Sequence, residues 1–358
     1  MIYQKKRHGA GKAQGRPPFG IKKEPSQTKE KYLEEIIKKF SQPKVLVIGD
    51  YIADVYLYGK PFQLSREAPV VVIRHEGEDI IPGGAGNVAH NLTSFGGKVC
   101  AVGILGNDEA GNSMLNQLKK SGVDVDGLLR SHIVNTVSKT RIMAGDEHTS
   151  RQQVIRIDKL NQELIPARLQ EKIYDQFKKL SRDVDVIIVS DHGYGVISDR
   201  IISLIQNLAK QKIVVADSRY QIMRFRGVTA VTPSESETEK AVRKRLFDDQ
   251  GLERAAHILM DKLKLKAVLI TRGNRGMSLL EKPAKFSHIP LLRHHDITDI
   301  TGAGDAVVAV FALAVASGAG FHDAAILAAC AAGVVVTKSG TAVLTREELL
   351  EVVKKHDE

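Results

Sequence analysis

With 358 residues, 43% of them apolar and 26% charged, the chain can hold one large α/β domain or two ordinary ones and has a soluble globular composition. No apolar run approaches the roughly 18 residues of a lipid-spanning helix; the nearest, Ala306 to Gly320, is short and alanine-rich. The net charge of +10 is not a spread nucleic-acid footprint, because residues 1–32 carry nine Lys and Arg against Glu24 and Glu30, which is +7 of it.

That leading stretch, "QKKRHGAGKAQGRPPFGIKKEPSQ", reads as a disordered basic tail over residues 1–27, with the folded domain expected over 28–358. Tyr3 and Phe19 are its aromatic residues, too few for base stacking, so no specific nucleic-acid partner is expected. No signal peptide is visible, and Cys100 and Cys330 lie far apart in apolar surroundings. Both observations predict a cytoplasmic, reducing location and no membrane partner.

Apolar residues at Leu33, Ile36, Ile37 and Phe40 predict a helix stopping near Pro43. "KVLVIGD" then has the pattern of a buried parallel strand with polar groups at its carboxyl end. Residues 55–80 read as antiparallel β. "GGAGNVAHNLTSFGG" is a glycine turn opening a helix, "KVCAVGILG" a second buried strand, and "NDEAGNSMLNQLKKSGV" a helix capped by Asn107. Residues 136–158 predict another β hairpin. Strands and helices alternate from there on: "VDVIIVSD", a helix over 199–210, "KIVVADS", "VTAVTPSESE" opening a helix, "KAVLITRG", "GMSLLE", and helices over 304–317 and 322–337. That rhythm predicts an α/β fold, a mostly parallel central sheet with helices on both faces. The two early β segments break it and are expected to form a small lid. Ligands of such sheets bind beyond the strands' carboxyl ends, so Asp50, Asp191, Asp217 and the loop before Asp305 should converge. The trio His294-His295-Asp296 is adjacent rather than helically spaced and reads as a solvated loop.

The start of the helix after "DITGAGD" is chemically unusual. Gly302, Ala303 and Gly304 leave backbone N–H groups open at a positive helix end, which suits an anion such as a phosphoryl group in flight. Asp305 beside them can take a proton from an incoming hydroxyl.

In chain order, "VIGDYIAD", "PGGAGNVAHNLTSFG", "VTPSESE", "ITRGNRGMSLL" and "DITGAGD" together resemble the ribokinase (PfkB) family of carbohydrate kinases, from about Lys44 onward. The resemblance implies a ribokinase-like fold with ATP and Mg2+, and K+ beside them, as cofactors. "LSREAPVVVI", "QQVIRID" and "RFRGVTAVTP" are similar to the members that phosphorylate a heptose 7-phosphate at its anomeric hydroxyl, toward ADP-heptose and lipopolysaccharide core. Some relatives carry a nucleotidyl-transfer half with an H-x-G-H motif; none occurs here, so a kinase alone is expected.

Residue by residue, the resemblance implies Asp305 as base with Gly302, Ala303 and Gly304 as anion hole. Asp50, Asp54, Gly83, Gly84 and Asn87 are implied for the sugar. Lys139, Arg141, Gln153 and Arg156, with Arg66, Arg151 and Arg219 as further cations, are implied for its phosphate, and Asp158 could fix Arg156. Ser234 (where the family usually has Asn), Glu237, Thr271, Gly273, Gly276, Ala329, Ala332, Lys338 and Gly340 are implied for ATP, with Thr337 to Thr341 walling the adenine. Glu237 is implied for Mg2+ through water, and Asp299 and Thr301 for a monovalent cation. A homodimer through the lid strands is expected. The alternatives are a family kinase for another sugar or sugar phosphate, and an inactive sugar-binding regulator.

Overall fold

Successive residues of the first buried strand enter different cores. Val45 and Val47 join one, Leu46 and Ile48 the other, as a strand covered on both faces requires. The computed structural model describes residues 26–145, 151–161, 164–283, 285–291 and 298–354, without the side chains of 26–28. Nearly all of the basic tail, and the His294-His295-Asp296 trio, lie outside the described residues.

In chain order the elements are α1 (Ser26–Lys38), β1 (Lys44–Gly49), β2 (Tyr51–Leu64), β3 (Val71–Gly84), α2 (Ala85–Ser94), β4 (Lys98–Gly106), α3 (Glu109–Lys120), β5 (Asp124–Ser131), β6 (Val137–Ala144) and β7 (Gln152–Lys159). They continue with α4 (Ala167–Leu180), β8 (Val186–Asp191), α5 (Asp199–Leu208), β9 (Ile213–Ser218), β10 (Ala230–Val231), α6 (Glu235–Val242), α7 (Asp249–Leu263), β11 (Ala267–Thr271), β12 (Met277–Glu281), β13 (Lys285–Ile289), α8 (Ala303–Ala316), α9 (Phe321–Val335) and α10 (Arg346–Lys354).

Among the described residues the large sheet has nine strands in the order β13-β12-β11-β10-β9-β8-β1-β4-β5. It is parallel from β5 to β11, and β12 and β13 add an antiparallel edge. Strand order turns around between β1 and β8, so the crevice beyond their carboxyl ends, at Asp50 and Asp191, is the switch point where such sheets bind ligands. One face is covered by α1, α2, α3, α8, α9 and α10, the other by α4, α5 and α7.

The second sheet has the order β3-β2-β6-β7. It leaves the large sheet directly after Asp50, because β2 starts at Tyr51. Its register sets Asp54 opposite Lys139, Tyr56 opposite Arg141, and Lys139 opposite Asp158. Directly opposed residues share a face, so these charged side chains stand together.

Two local expectations are corrected. The cap of α3 is Asp108, whose carboxylate accepts from Gly111 N at 2.9 Å, while Asn107 binds Arg130 and His132. A carboxylate also closes the turn by taking Thr136 N at 2.8 Å, which Asn107 one residue earlier does not reach. The edge strands β5 and β13 escaped the sequence reading because their burial is mixed and no clean alternation marks them. No helix among the described residues is long and apolar enough to cross a membrane.

Candidate active site

Gly302 caps the start of α8, and its φ of 81° lies in the left-handed region. A side chain there would be strained and would also press on Asn87 Nδ2, 2.6 Å from an added Cβ. Among the described residues, no atom outside its own helix turn lies within 4 Å of the space a Cβ on Gly304 would fill, so that side of the first turn is open. Asp305 stands in that turn and accepts from Asn87 Nδ2 at 2.8 Å. The buried Asn87 takes Asn91 Nδ2 on its own Oδ1 at 3.0 Å, which fixes its amide with the NH2 toward Asp305. Burial pushes the Asp305 carboxyl up to about 7, and Asp54 adds to the rise while Asn87, Lys139 and Arg219 oppose it.

Asp54 lies against Gly83, where a Cβ would collide with its carboxylate. Its Oδ1 accepts from Arg141 Nη1 at 2.6 Å and its Oδ2 from Thr341 Oγ at 2.8 Å. Arg141 also lies over the Tyr56 ring, 5.2 Å from its centroid. Arg141 is 8% exposed and its Nη1 is held by Asp54 Oδ1, so one nitrogen of the expected phosphate reader is in a buried ion pair. Lys139 differs. Its ammonium makes no hydrogen bond or ion pair among the described residues, and burial, reinforced by neighbouring Arg219, lowers its pKa. Arg219 is exposed and likewise has no side-chain partner among the described residues. Arg156 forks onto Asp158 at 2.8 and 3.1 Å, and Arg151 pairs with Glu76 at 3.1 Å. Gln153 and Arg66 are exposed.

Asp50 is 3% exposed and faces the 192–196 loop. It accepts from His192 N at 2.9 Å, Tyr194 N at 3.1 Å and Val196 N at 3.3 Å. Burial raises its pKa to about 6. Two of these amides share Oδ2 and one reaches Oδ1, so Asp50 anchors the loop at the switch point. Gly84 must follow it closely: at φ 55°, a Cβ would stand 2.6 Å from Asp50 O. The same loop carries His192, which by its place after a strand end reads in the sequence as a satisfied polar residue. Its Nδ1 is buried and, among the described residues, unpartnered, and burial beside Lys139 and Arg219 lowers its pKa to about 3.

Ser234 and Glu237 form a capping box at the start of α6, with Ser234 N on Glu237 Oε2 at 2.8 Å. Glu237 is close enough to Asp217 to add to the rise that burial imposes on that carboxyl. Ser234 bridges to Thr271, and the turn after Thr271 needs Gly273 at φ 58° and Gly276 at φ 76°. Asp299 ties two loops by accepting from Thr301 N at 2.9 Å and Gly340 N at 3.1 Å.

Three residues expected on the nucleotide side have other contacts. Lys338 Nζ is tied to Val343 O at 2.8 Å and Glu348 at 2.7 Å, so it anchors α10 instead of facing a phosphate. Ala329 is fully buried in the core, where a small side chain lets α8 and α9 approach; Ala332, at 6%, is nearer the surface. Thr341, expected beside the adenine, turns its hydroxyl to Asp54 instead.

A carboxylate with one free oxygen at a helix start, near cations that are unpaired among the described residues and beyond a parallel sheet, is the arrangement of a small-molecule phosphotransferase. The family model of the pfkB family carbohydrate kinases matches residues 42–348, and the chain belongs to that family. It is 36% identical over 323 residues to the bifunctional protein HldE of Geobacter sulfurreducens, and 35% identical to that of Geotalea uraniireducens. Each alignment covers 89% of this chain but 65% of the relative, so the chain spans less than two thirds of those proteins. Among solved structures it is similar to Escherichia coli phosphofructokinase-2 in complex with substrates and products, with TM-score 0.74 and 15% identity over 88% of this chain and all of that one. It is also similar to Arabidopsis thaliana ribokinase complexed with ribose and ATP, with TM-score 0.67 and 18% identity over 87% of this chain and 99% of that one. These two likenesses establish the ribokinase-like fold.

Proposed function

We propose that the chain transfers the terminal phosphoryl group of ATP to the anomeric 1-hydroxyl of D-glycero-D-manno-heptose 7-phosphate, giving the 1,7-bisphosphate, a step toward ADP-heptose. The observation that carries this reading is the Asp305 carboxylate at the open start of α8, with the uncommitted Lys139 and Arg219 nearby. Asn87 occupies Oδ2 of Asp305, which leaves Oδ1 to take the hydroxyl proton. The deprotonated oxygen attacks the phosphorus, ADP departs, and the first-turn N–H groups of α8 meet the charge on the transferred oxygens. Asp54 orients the sugar hydroxyls.

The residues fit both cations of the proposed reaction. Asp217 and Glu237 are two hard oxygen donors whose mutual repulsion a divalent cation would relieve. They would hold Mg2+ together with nucleotide phosphates and water, and no group of three or more His, Cys, Asp or Glu placed for a metal occurs among the described residues. Asp299, between the Thr301 and Gly340 loops, would hold K+. Bound there, the two ions would supply positive charge to the phosphates.

The test is a panel of sugars and sugar phosphates incubated with ATP and Mg2+ and scored by ADP release. Heptose 7-phosphate should exceed the same heptose without its phosphate; equal turnover of both would refute a phosphate-reading site. Lys139→Met should raise KM for heptose 7-phosphate by roughly one to two decades, the value of a charge-assisted bond. KM for ATP should move less, and a larger rise there would reassign Lys139 to the nucleotide.

The reading places the protein in the cytoplasm as a homodimer, with the second sheet as a lid. Its edge strands are β3 and β7, and Val71, Ile155 and Ile157 on them are 54%, 52% and 53% exposed. Ile155→Asp with Ile157→Asp should convert a dimer to monomer in sedimentation; a wild-type monomer would remove this part of the proposal.

A further inference from the structure

The contact between Asp54 and Thr341 joins elements 287 residues apart in sequence. Asp54 belongs to the small sheet, on the acceptor side. Thr341 belongs to the loop that follows α9, whose Gly340 N is held by Asp299. Proton counting orders the network. A carboxylate offers acceptors only, so the single hydroxyl proton of Thr341 goes to Asp54 Oδ2. Tyr56 must then donate its own proton to Thr341 Oγ, at 3.2 Å. Burial raises the Tyr56 pKa, which keeps that phenol protonated. Arg141 closes the group, bonded to Asp54 Oδ1 and lying over the Tyr56 ring. Asp54, Arg141 and Thr341 are 5%, 8% and 4% exposed, so these bonds act in a low dielectric, where loss of a partner is felt.

We infer that Thr341 is a positioning residue that couples the acceptor site to the nucleotide side. Each Asp54 oxygen has one protein donor and keeps capacity for a sugar hydroxyl. A sugar bound to Asp54 therefore fixes the carboxylate to which Thr341 is bonded, and through it the 337–341 loop. The same loop is tied by Gly340 to Asp299 and lies at the start of α8, since Thr341 Cγ2 is 3.5 Å from the place of a Cβ on Gly302. Ordering this loop costs less once the sugar has fixed one end of it, so each ligand should tighten the other. By linkage the two effects are equal.

The inference rests on the kinase reading for its two ligands. The experiment measures Kd of a non-hydrolysable ATP analogue by calorimetry, with and without saturating heptose 7-phosphate. The proteins are wild type, Thr341→Val, Thr341→Ser and Tyr56→Phe. Wild type should show tightening of about fivefold or more, the lower range of site–site coupling. Thr341→Val keeps the shape and loses the hydroxyl; its tightening should fall below twofold, with a melting temperature lowered by a few degrees because Asp54 and Tyr56 each lose a buried partner. Thr341→Ser should restore the coupling, and Tyr56→Phe should weaken it. Equal coupling in wild type and Thr341→Val overturns the inference and leaves the kinase reading standing. So does a wild type that binds both ligands independently. A wild type that binds neither probe overturns both.

Discussion

Asp305→Asn is expected to abolish turnover and, at the same time, to raise the melting temperature above neutral pH. The catalytic loss should be at least about 10² to 10⁴ in kcat, the usual contribution of a general base. The stability gain follows from the same carboxyl. Its ordinary pKa is 3.8 and burial raises it to about 7 in the folded protein. The folded state therefore holds a proton that the unfolded chain releases, and wild-type stability falls as pH rises through that window. The cost is complete above the folded pKa and is on the order of a few kcal/mol. Asparagine carries no charge to desolvate, and its Oδ1 can still accept from Asn87. The melting-temperature advantage of the variant should therefore be small near pH 4 and grow to a plateau near pH 8. Asp50, also raised by burial, is present in both proteins and cancels in the difference, whereas Asp217, which Asp305 helps to raise, should titrate lower in the variant and add to its advantage. The wild type should show the complementary kinetic behaviour, kcat/KM for the acceptor rising with pH through an apparent pKa near that of free Asp305. A flat profile from pH 5.5 to 8, or a variant with more than about a tenth of wild-type kcat, would remove Asp305 from the role of base.

The parts of the fold that could be read in the sequence are those whose signal is local. "KVLVIG" and "VDVIIVSD" are uninterrupted apolar runs because both faces of β1 and β8 are covered. The glycines at 302 and 304 mark an open helix start because backbone geometry and access can be inferred from residue type alone. The roles of Asp50, Arg141 and Lys338 could not be inferred in this way. Each is a charged residue in a motif-like segment, and its job is decided by a partner elsewhere: the amides of 192–196, Asp54, and Glu348. A strand sequence shows that Lys139 and Arg141 share a face. It does not show that one meets a carboxylate and the other meets none. Thr341 is the extreme case, because its target lies near the other end of the chain.

Arg141→Met should separate these two cations. Removing the guanidinium leaves Asp54 buried with its charge uncompensated, and breaking a buried pair in this way costs about 3–5 kcal/mol. The melting temperature should fall by roughly 5–15 °C, from the usual scaling of unfolding entropy with chain size. Lys139→Met removes a cation that holds no ion pair, so its melting temperature should stay close to wild type while KM for the acceptor rises. The decisive variant is the double, Asp54→Asn with Arg141→Met. It takes away the stranded charge, and the amide oxygen of the new side chain can still accept from Thr341. Its stability should recover much of what Arg141→Met lost, giving a coupling energy between the two sites of about 1–3 kcal/mol. Turnover should not recover, because a neutral amide cannot hold the sugar hydroxyls as the carboxylate does. Thermal melts and steady-state kinetics on the four proteins of the cycle suffice. If Arg141→Met melts with the wild type and raises only the KM for the phosphorylated acceptor, Arg141 reads the sugar phosphate and its pairing with Asp54 contributes nothing to the fold. Additive losses in the double variant would show the same. A stability loss confined to Arg141→Met would mean that the fold depends on the buried pair, and Lys139 and Arg219 would then be left to face the phosphate.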